Sequence, residues 1–347
     1  MYLKIMTNIY RSCKLKKYSF LNRKETGGLS MTAIHRLEIP VPFAVETVNV
    51  FLVEGETLTL IDTGTNTEEA RNALESQLGA LGHTIEDIET VVITHHHADH
   101  CGLLNIFSEK TNIIGHPWNE PWITQNPEFL KRYHEFFRET ALQFGVPAAF
   151  LKDESLLTTR TLKYSCNRSL THTVREGDRI DSLPGFIVLE TPGHASTHIS
   201  LYRESDGILI GGDALISHIS SNPILEPPYE GQTERARPLL QYNQTLQRLS
   251  EMNISRILSG HGEDVLNVKQ LIETRLQKQE TRAFKVLELL KEKPMTAFEV
   301  CVKLFPVLYK EQLPLTISET VGQLDYLAYN QQVMIDESSQ QLIYYAK

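Results

Sequence analysis

Seven consecutive residues, Thr94-His95-His96-His97-Ala98-Asp99-His100, place four imidazoles and a carboxylate directly after the β-branched run 91–93. The pattern H-x-H-x-D-H offers a borderline-soft dication its preferred donors from one tight turn at the end of a strand. His95 and His97 can face one ion while Asp99 and His100 face a neighbour. Further ligand-type residues follow where later strands end: His194 in Thr191-Pro192-Gly193-His194, Asp213 after Gly211-Gly212, and His261 in Ser259-Gly260-His261-Gly262. Asp62 ends an earlier strand in the same way. Glycine beside most of these positions lets the backbone turn sharply and approach an ion closely.

The surrounding pattern is that of a layered α/β sheet protein. Strand-like runs cover 34–41, 47–53, 57–61, 91–94, 112–115, 186–191, 199–202, 208–211 and 256–259, and a helix is expected over 67–81. Two segments interrupt it. Residues 117–170 form a helical insertion containing Trp118 and Trp122, then a helix capped by Asn126 with Pro127 in its first turn. Along that helix Phe129, Tyr133, Phe136, Phe137 and Phe144 recur at helical spacing before Gly145 stops it, either as a packed face or as a lid lining an apolar pocket. The tail holds helices over 275–293, 296–305 and 317–329, with runs 333–335 and 342–345 flanking a polar turn. Three helices and a hairpin suggest a small C-terminal winged-helix-like domain over 271–347, after a main domain over 31–270.

Composition excludes several classes. At 347 residues and a net charge of −9 the chain can bury a sizeable core and is disfavoured as a broad binder of nucleic acid. No apolar run approaches the ~18 residues of a membrane span. Cys13, Cys101, Cys166 and Cys301 are scattered without a C-x-x-C pair, against a disulfide scaffold or a thiolate zinc site and in keeping with the cytoplasm. Residues 1–30 carry seven basic side chains against Glu25 and lack the apolar stretch of a secretory signal. The expectation is that translation starts at Met31; the alternative is a disordered basic arm.

With Asp62, His95-x-His97-x-Asp99-His100, His194, Asp213 and His261 in this order, the stretch 34–265 resembles the metallo-β-lactamase superfamily. That resemblance implies an αββα sandwich with two divalent metal ions between the sheet edges. It further implies that His95, His97 and His194 hold the first ion, that Asp99, His100 and His261 hold the second, and that Asp213 bridges them. Asp62 would orient the ligand loop. Zinc is the expected metal, and manganese or iron suit the same donors.

A hydroxide shared by two dications is available near neutral pH to attack a carbonyl carbon or a phosphorus, with Asp99 placed to orient it or accept its proton. His116 and His218 are candidates for substrate contact or for protonating the leaving group. His96 should point away from the ions, and His198 and Cys101 are read as packing residues near the site in sequence only.

The order of sheet domain, helical insertion and winged-helix tail resembles hydroxyacylglutathione hydrolase-like metallo-hydrolases, and also a lactamase-like endoribonuclease. From 294 to 347 three lysines face six acids, and the third tail helix carries Glu319 and Asp325 without a basic residue, a poor surface for phosphates. A role in dimerisation or in walling the site suits the tail better. The expected function is therefore hydrolysis of a small-molecule thioester, ester or lactone, with Lys131, Arg132, Arg235 and Arg237 available for an anionic group on the substrate. The alternatives are a metal-dependent endoribonuclease or phosphodiesterase, and a non-catalytic winged-helix regulator.

Overall fold

A computed structural model describes residues 16–23, 29–151 and 159–347. The chain opens with the strands β1 (Lys16–Arg23), β2 (Leu29–Pro40), β3 (Thr47–Glu54) and β4 (Leu58–Ile61), followed by helix α1 (Glu68–Ala80) and strand β5 (Thr90–Val92). A one-turn helix α2 (Ala98–Cys101) carries the histidine-rich motif into strand β6 (Asn112–Gly115). Three helices follow, α3 (Glu120–Ile123), α4 (Pro127–Gln143) and α5 (Thr159–Leu162). Then come strands β7 (His172–Thr173), β8 (Phe186–Glu190), β9 (Ile199–Arg203) and β10 (Ile208–Gly212), helix α6 (Pro238–Glu251) and strand β11 (Arg256–Ser259). The tail is α7 (Val268–Glu292), α8 (Ala297–Leu304), α9 (Leu313–Tyr329) and the antiparallel pair β12 (Val333–Asp336) and β13 (Ile343–Ala346).

Strands β1 to β7 form one sheet in sequence order, and β8 to β11 form a second in the order β11-β10-β9-β8. Their facing surfaces share an apolar layer: Phe51, Val53, Ile61 and Val92 meet Val188, Leu201, Ile210 and Leu258. The outer face of the first sheet packs Val48, Val50 and Leu52 against Leu74 and Leu78 of α1. Strand β3 is therefore buried on both faces, which explains its unbroken apolar run. The outer face of the second sheet is covered by Leu246 of α6 and Ile272 of α7. Helix, sheet, sheet, helix is the resulting layering, as expected.

Local chemistry accounts for the helix limits. Thr67 caps α1 by accepting from the Ala70 amide, and Glu68 and Glu69 oppose the positive end of its dipole. Asn126 accepts from the Phe129 amide at the start of α4, with Pro127 in the first turn.

Within the stretch 1–30, expected either to precede the true start at Met31 or to be a disordered arm, Lys16–Arg23 is a strand paired with Leu29–Arg36 of β2, and Lys16 forms an ion pair with Glu263. Without β1 that part of β2 would present unpaired backbone groups at the sheet edge. The rest of the arm, 1–15 and 24–28, lies outside the described residues.

Insertion and tail share one core. Phe137 and Phe144 of the insertion pack with Val286 and Leu290 of α7, Val300 of α8, Leu324 of α9 and Tyr344 of β13. The Phe298 amide donates to the Phe144 carbonyl at 2.9 Å, and the Leu342 amide to that of Gln143 at 2.8 Å. Among the described residues no helix is long and apolar enough to cross a membrane.

Candidate metal centre

All the predicted ligands stand where strands end, along one edge of the sandwich. Strand β4 leads into Asp62, β5 into 95–100, β8 into His194, β10 into Asp213 and β11 into His261. Two glycines make the close approaches possible. At Gly193, with φ of +133°, a Cβ would fall 2.4 Å from the Tyr242 backbone. At Gly260 a Cβ would lie 2.5 Å from Asp213 Oδ1 and 3.0 Å from the His100 ring.

The side chains converge in overlapping groups of three: His95 with His97 and His194, His95 with His100 and Asp213, and Asp99 with His100 and His261. In the first, His95 Nε2 and His194 Nε2 lie 3.0 and 2.9 Å from His97 Nδ1. Around the second, His261 Nε2 is 3.4 Å from both Asp99 Oδ2 and Asp213 Oδ2, and His100 Nε2 is 3.5 Å from Asp213 Oδ1. Asp213 Oδ2 is also 3.5 Å from His194 Nε2, so one carboxylate faces both groups. Four donors about 2.1 Å from a tetrahedral ion stand about 3.4 Å apart, so the spacing suits such an ion. The buried atoms His100 Nε2 and Asp213 Oδ1 have no hydrogen-bond partner among the described residues, as expected of ligand atoms. The donor set of imidazoles and carboxylates fits a zinc-type dication.

Three of these rings are held by their other nitrogen. His194 Nδ1 donates to the Asn222 carbonyl at 2.9 Å and His261 Nδ1 to that of Thr47 at 2.6 Å. His100 Nδ1 donates to Asp62 Oδ2 at 2.8 Å, leaving Nε2 with its lone pair toward the centre. Asp62 itself sits at φ of +63°, a conformation rarely adopted outside glycine, and accepts from the Thr94 amide at 2.7 Å and hydroxyl at 2.9 Å. Asp62 thus links His100 to the start of the motif.

Electrostatics divide the site in two. Burial, reinforced by four neighbouring imidazoles, holds His95 far below the usual imidazole range, and burial together with His194 takes His97 down to about 3. These rings are neutral and offer lone pairs. In the other group burial opposes charge, yet the carboxylates of Asp213 and Asp99 raise His261 to about 10. Burial would likewise lift Asp99, but His100 and His261 outweigh it and leave the carboxyl at about 2. In this half of the site the carboxylates therefore call for positive charge, which a bound dication would supply.

Family comparisons give the same answer. The model of the "Metallo-beta-lactamase superfamily" matches residues 44–261, which include every residue of the cluster and all strands of the two sheets from β3 to β11. The chain belongs to the metallo-β-lactamase superfamily. It is 49% identical over 84% of its length, and 91% of the relative's, to "Probable metallo-hydrolase YqjP" of Bacillus subtilis (strain 168). It is 26% identical to the "Beta-lactamase-like protein 2 homolog" of Caenorhabditis elegans, covering 73% of this chain and 68% of that one. Among solved structures, the metallo-β-lactamase family protein TTHA1429 from Thermus thermophilus superposes with a TM-score of 0.74 at 28% identity, covering 90% of this chain and 98% of that one.

Other candidates of this superfamily member fall in varied places. His218 is exposed, and its ring lies against Gly262, where a Cβ would be 2.7 Å from it, next to His261 in the chain. His116 is turned elsewhere: its Nδ1 accepts from the Trp118 amide at 3.2 Å and its Nε2 meets Arg175 at 2.6 Å. His96 points away from the cluster as expected, stacked on Trp122 with ring centres 4.2 Å apart.

His198 requires correction. Its Nε2 accepts from the Asp213 amide at 3.0 Å and its ring centre is 4.9 Å from that of His95, so it braces Asp213 from behind. Cys101 also touches the motif, donating from its buried thiol to the His96 carbonyl at 3.2 Å. The aromatic stripe is packed rather than pocket-lining: Phe129 and Tyr133 close over Trp122 and Tyr229 in a buried cluster. Arg235 is not available for a substrate anion, because it pairs with both oxygens of Asp325 at 2.6 and 2.7 Å. Lys131 stays exposed near Glu135.

Sequence reasoning also missed Glu226. This buried carboxyl accepts from the Ser196 amide at 3.2 Å and the Tyr229 hydroxyl at 2.9 Å, and lies 3.9 Å from His96 Nε2. Burial raises it to about 7 despite those donors. Tyr229 is close in sequence, but Ser196 and His96 come from two distant loops, so the local sequence around 226 does not signal the burial.

Proposed function

We propose that this chain is a dinuclear metal-dependent hydrolase, with zinc as the ion, acting on the carbonyl of a small thioester, ester or lactone. The observation that carries the reading is Asp213, whose two carboxylate oxygens face the two ligand groups at 3.4–3.5 Å. His95, His97 and His194 would hold the first ion and Asp99, His100 and His261 the second, with Asp213 between them. Two divalent ions there would supply Lewis acidity and make a shared water acidic enough to ionise near neutral pH.

The chain's own groups do the rest. Asp62 and the carbonyls of Thr47 and Asn222 fix which imidazole nitrogen carries a proton, so the ligand atoms are set before metal arrives. Asp99 orients the nucleophile's hydrogen or takes it at its carboxylate. His218, exposed beside Gly262, would protonate the leaving group.

The tail is read as a winged-helix-like module that supports the site and does not read nucleic acid. Twelve residues of α9 are buried, and its acids are used internally, Glu319 with Arg282 and Asp325 with Arg235. A helix so enclosed has no free face for a groove.

A parallel rate assay of the zinc-loaded protein on an S-acyl thioester series, a lactone, a chromogenic phosphodiester and single-stranded RNA tests the reading, with His261→Ala as control. Carbonyl turnover that disappears in the control is expected. RNA or phosphodiester turnover that disappears likewise would replace this reading by a nuclease, and no turnover despite bound zinc would favour a regulator.

A further inference from the structure

Arg275 is 6% exposed, on the stretch of α7 that leaves the second sheet for the tail. Its Nη2 reaches the carbonyls of Ile216, Ser217 and Ile219 at 3.0, 3.1 and 2.8 Å. Those carbonyls belong to the loop 214–222, which begins just after Asp213. Ser221 turns the loop back by donating its hydroxyl to the Asp213 carbonyl at 2.5 Å. One residue further, the Asn222 carbonyl accepts from the ligand His194, while the Asn222 side chain donates to the Leu315 carbonyl on α9 at 3.3 Å.

A buried guanidinium is costly to desolvate, and here its Nε finds no hydrogen-bond partner among the described residues. Ordinary packing at this position would be served by an apolar side chain. What the cation does provide is a donor that gathers the carbonyls of Ile216, Ser217 and Ile219 around one nitrogen, and so sets the loop's path between Asp213 and Asn222.

We infer that Arg275 of α7, with the Asn222–Leu315 tether, is a positioning residue of the metal centre, through which the C-terminal helices hold His194 and Asp213 in ligand geometry. The tail is then part of the reaction centre rather than an appendage. This inference rests on the reading of the cluster as a metal site. It requires no contact between Arg275 and an ion or a substrate.

The test is Zn2+ affinity, measured on the full-length metal-free chain by competition with a chromophoric chelator, in Arg275→Met, Arg275→Lys and Asn222→Ala, with thermal midpoints recorded alongside. Methionine keeps the apolar stem and lysine keeps the donor. The expected order is wild type, then lysine, then methionine, with methionine weaker by ~10–100-fold, the usual range for losing a group that holds a metal ligand. Methionine binding Zn2+ as tightly as wild type, or more tightly than lysine, would overturn the inference, since stem packing would then suffice. Should Arg275→Met fail to fold, Asn222→Ala decides: weakened Zn2+ binding with an unchanged midpoint supports the tether, and wild-type binding overturns it. A wild-type chain that takes up no Zn2+ would sink the metal-site reading itself, a result distinct from either.

Discussion

Asp213 serves both ligand groups from one side chain, so its removal should act on both at once. Asp213→Ala is expected to lose bound metal and turnover together, read by metal content and rate on the same sample; full retention of both would refute the assignment. Asp62→Ala acts indirectly, by freeing the His100 ring, and a ~10–100-fold loss of metal affinity is expected. Glu226 gives a pH signature separate from the metals. Its folded value of about 7 lies above the ordinary 4.5. Between those values the folded chain keeps a proton that the unfolded chain has lost, so stability declines as pH rises through this window, by roughly 3 kcal/mol in all. Denaturant titrations of the metal-free protein from pH 4 to 8 should show that decline in wild type and a flatter curve in Glu226→Gln.

At the scale of elements, cap and turn chemistry made much of the fold legible. Asn126 sits at the cap it advertises, α1 falls within the expected span 67–81, and β6 and β11 have the expected limits. Helix α7 begins at Val268 rather than at 275, because its first two turns carry no capping side chain and are held by packing of Val268 and Ile272 on the second sheet. Helix α6 received no assignment, although Pro238 at its start and the spacing of Leu239, Tyr242, Leu246 and Leu249 contain the signal. In α8 the Thr296 hydroxyl accepts from the Glu299 amide while the Glu299 carboxylate accepts from the Thr296 amide. Thr296→Ala should cost ~1 kcal/mol of stability, measurable by chemical denaturation. Gly193→Ala is predicted to do more than destabilise: a Cβ there meets the Tyr242 backbone, so the turn must shift and carry His194 with it. A fall in Zn2+ affinity accompanying a lower thermal midpoint is the expected pair of readings.

Across the whole molecule, insertion, sandwich and tail are tied through shared cores and through single polar links such as Arg235 with Asp325. Ending the chain before α8 would strip partners from Phe137, Phe144, Val286 and Leu290, and the shortened protein is expected to aggregate, read by light scattering, rather than persist as a free sandwich. The sequence by itself determined the sandwich, the order of its strands' ends and which histidines and aspartates cluster there, because strand period, turn glycines and the H-x-H-x-D-H spacing are local signals. Only the tertiary structure decided what braces them. His198 behind Asp213, Glu226 between two ligand loops and Arg275 beneath the 214–222 loop depend on contacts between residues far apart in the chain, and no local pattern encodes which distant side chain will fill a given space. For the same reason the aromatic stripe and Arg235, available for a substrate when read along the chain, are consumed by packing and pairing in the folded molecule.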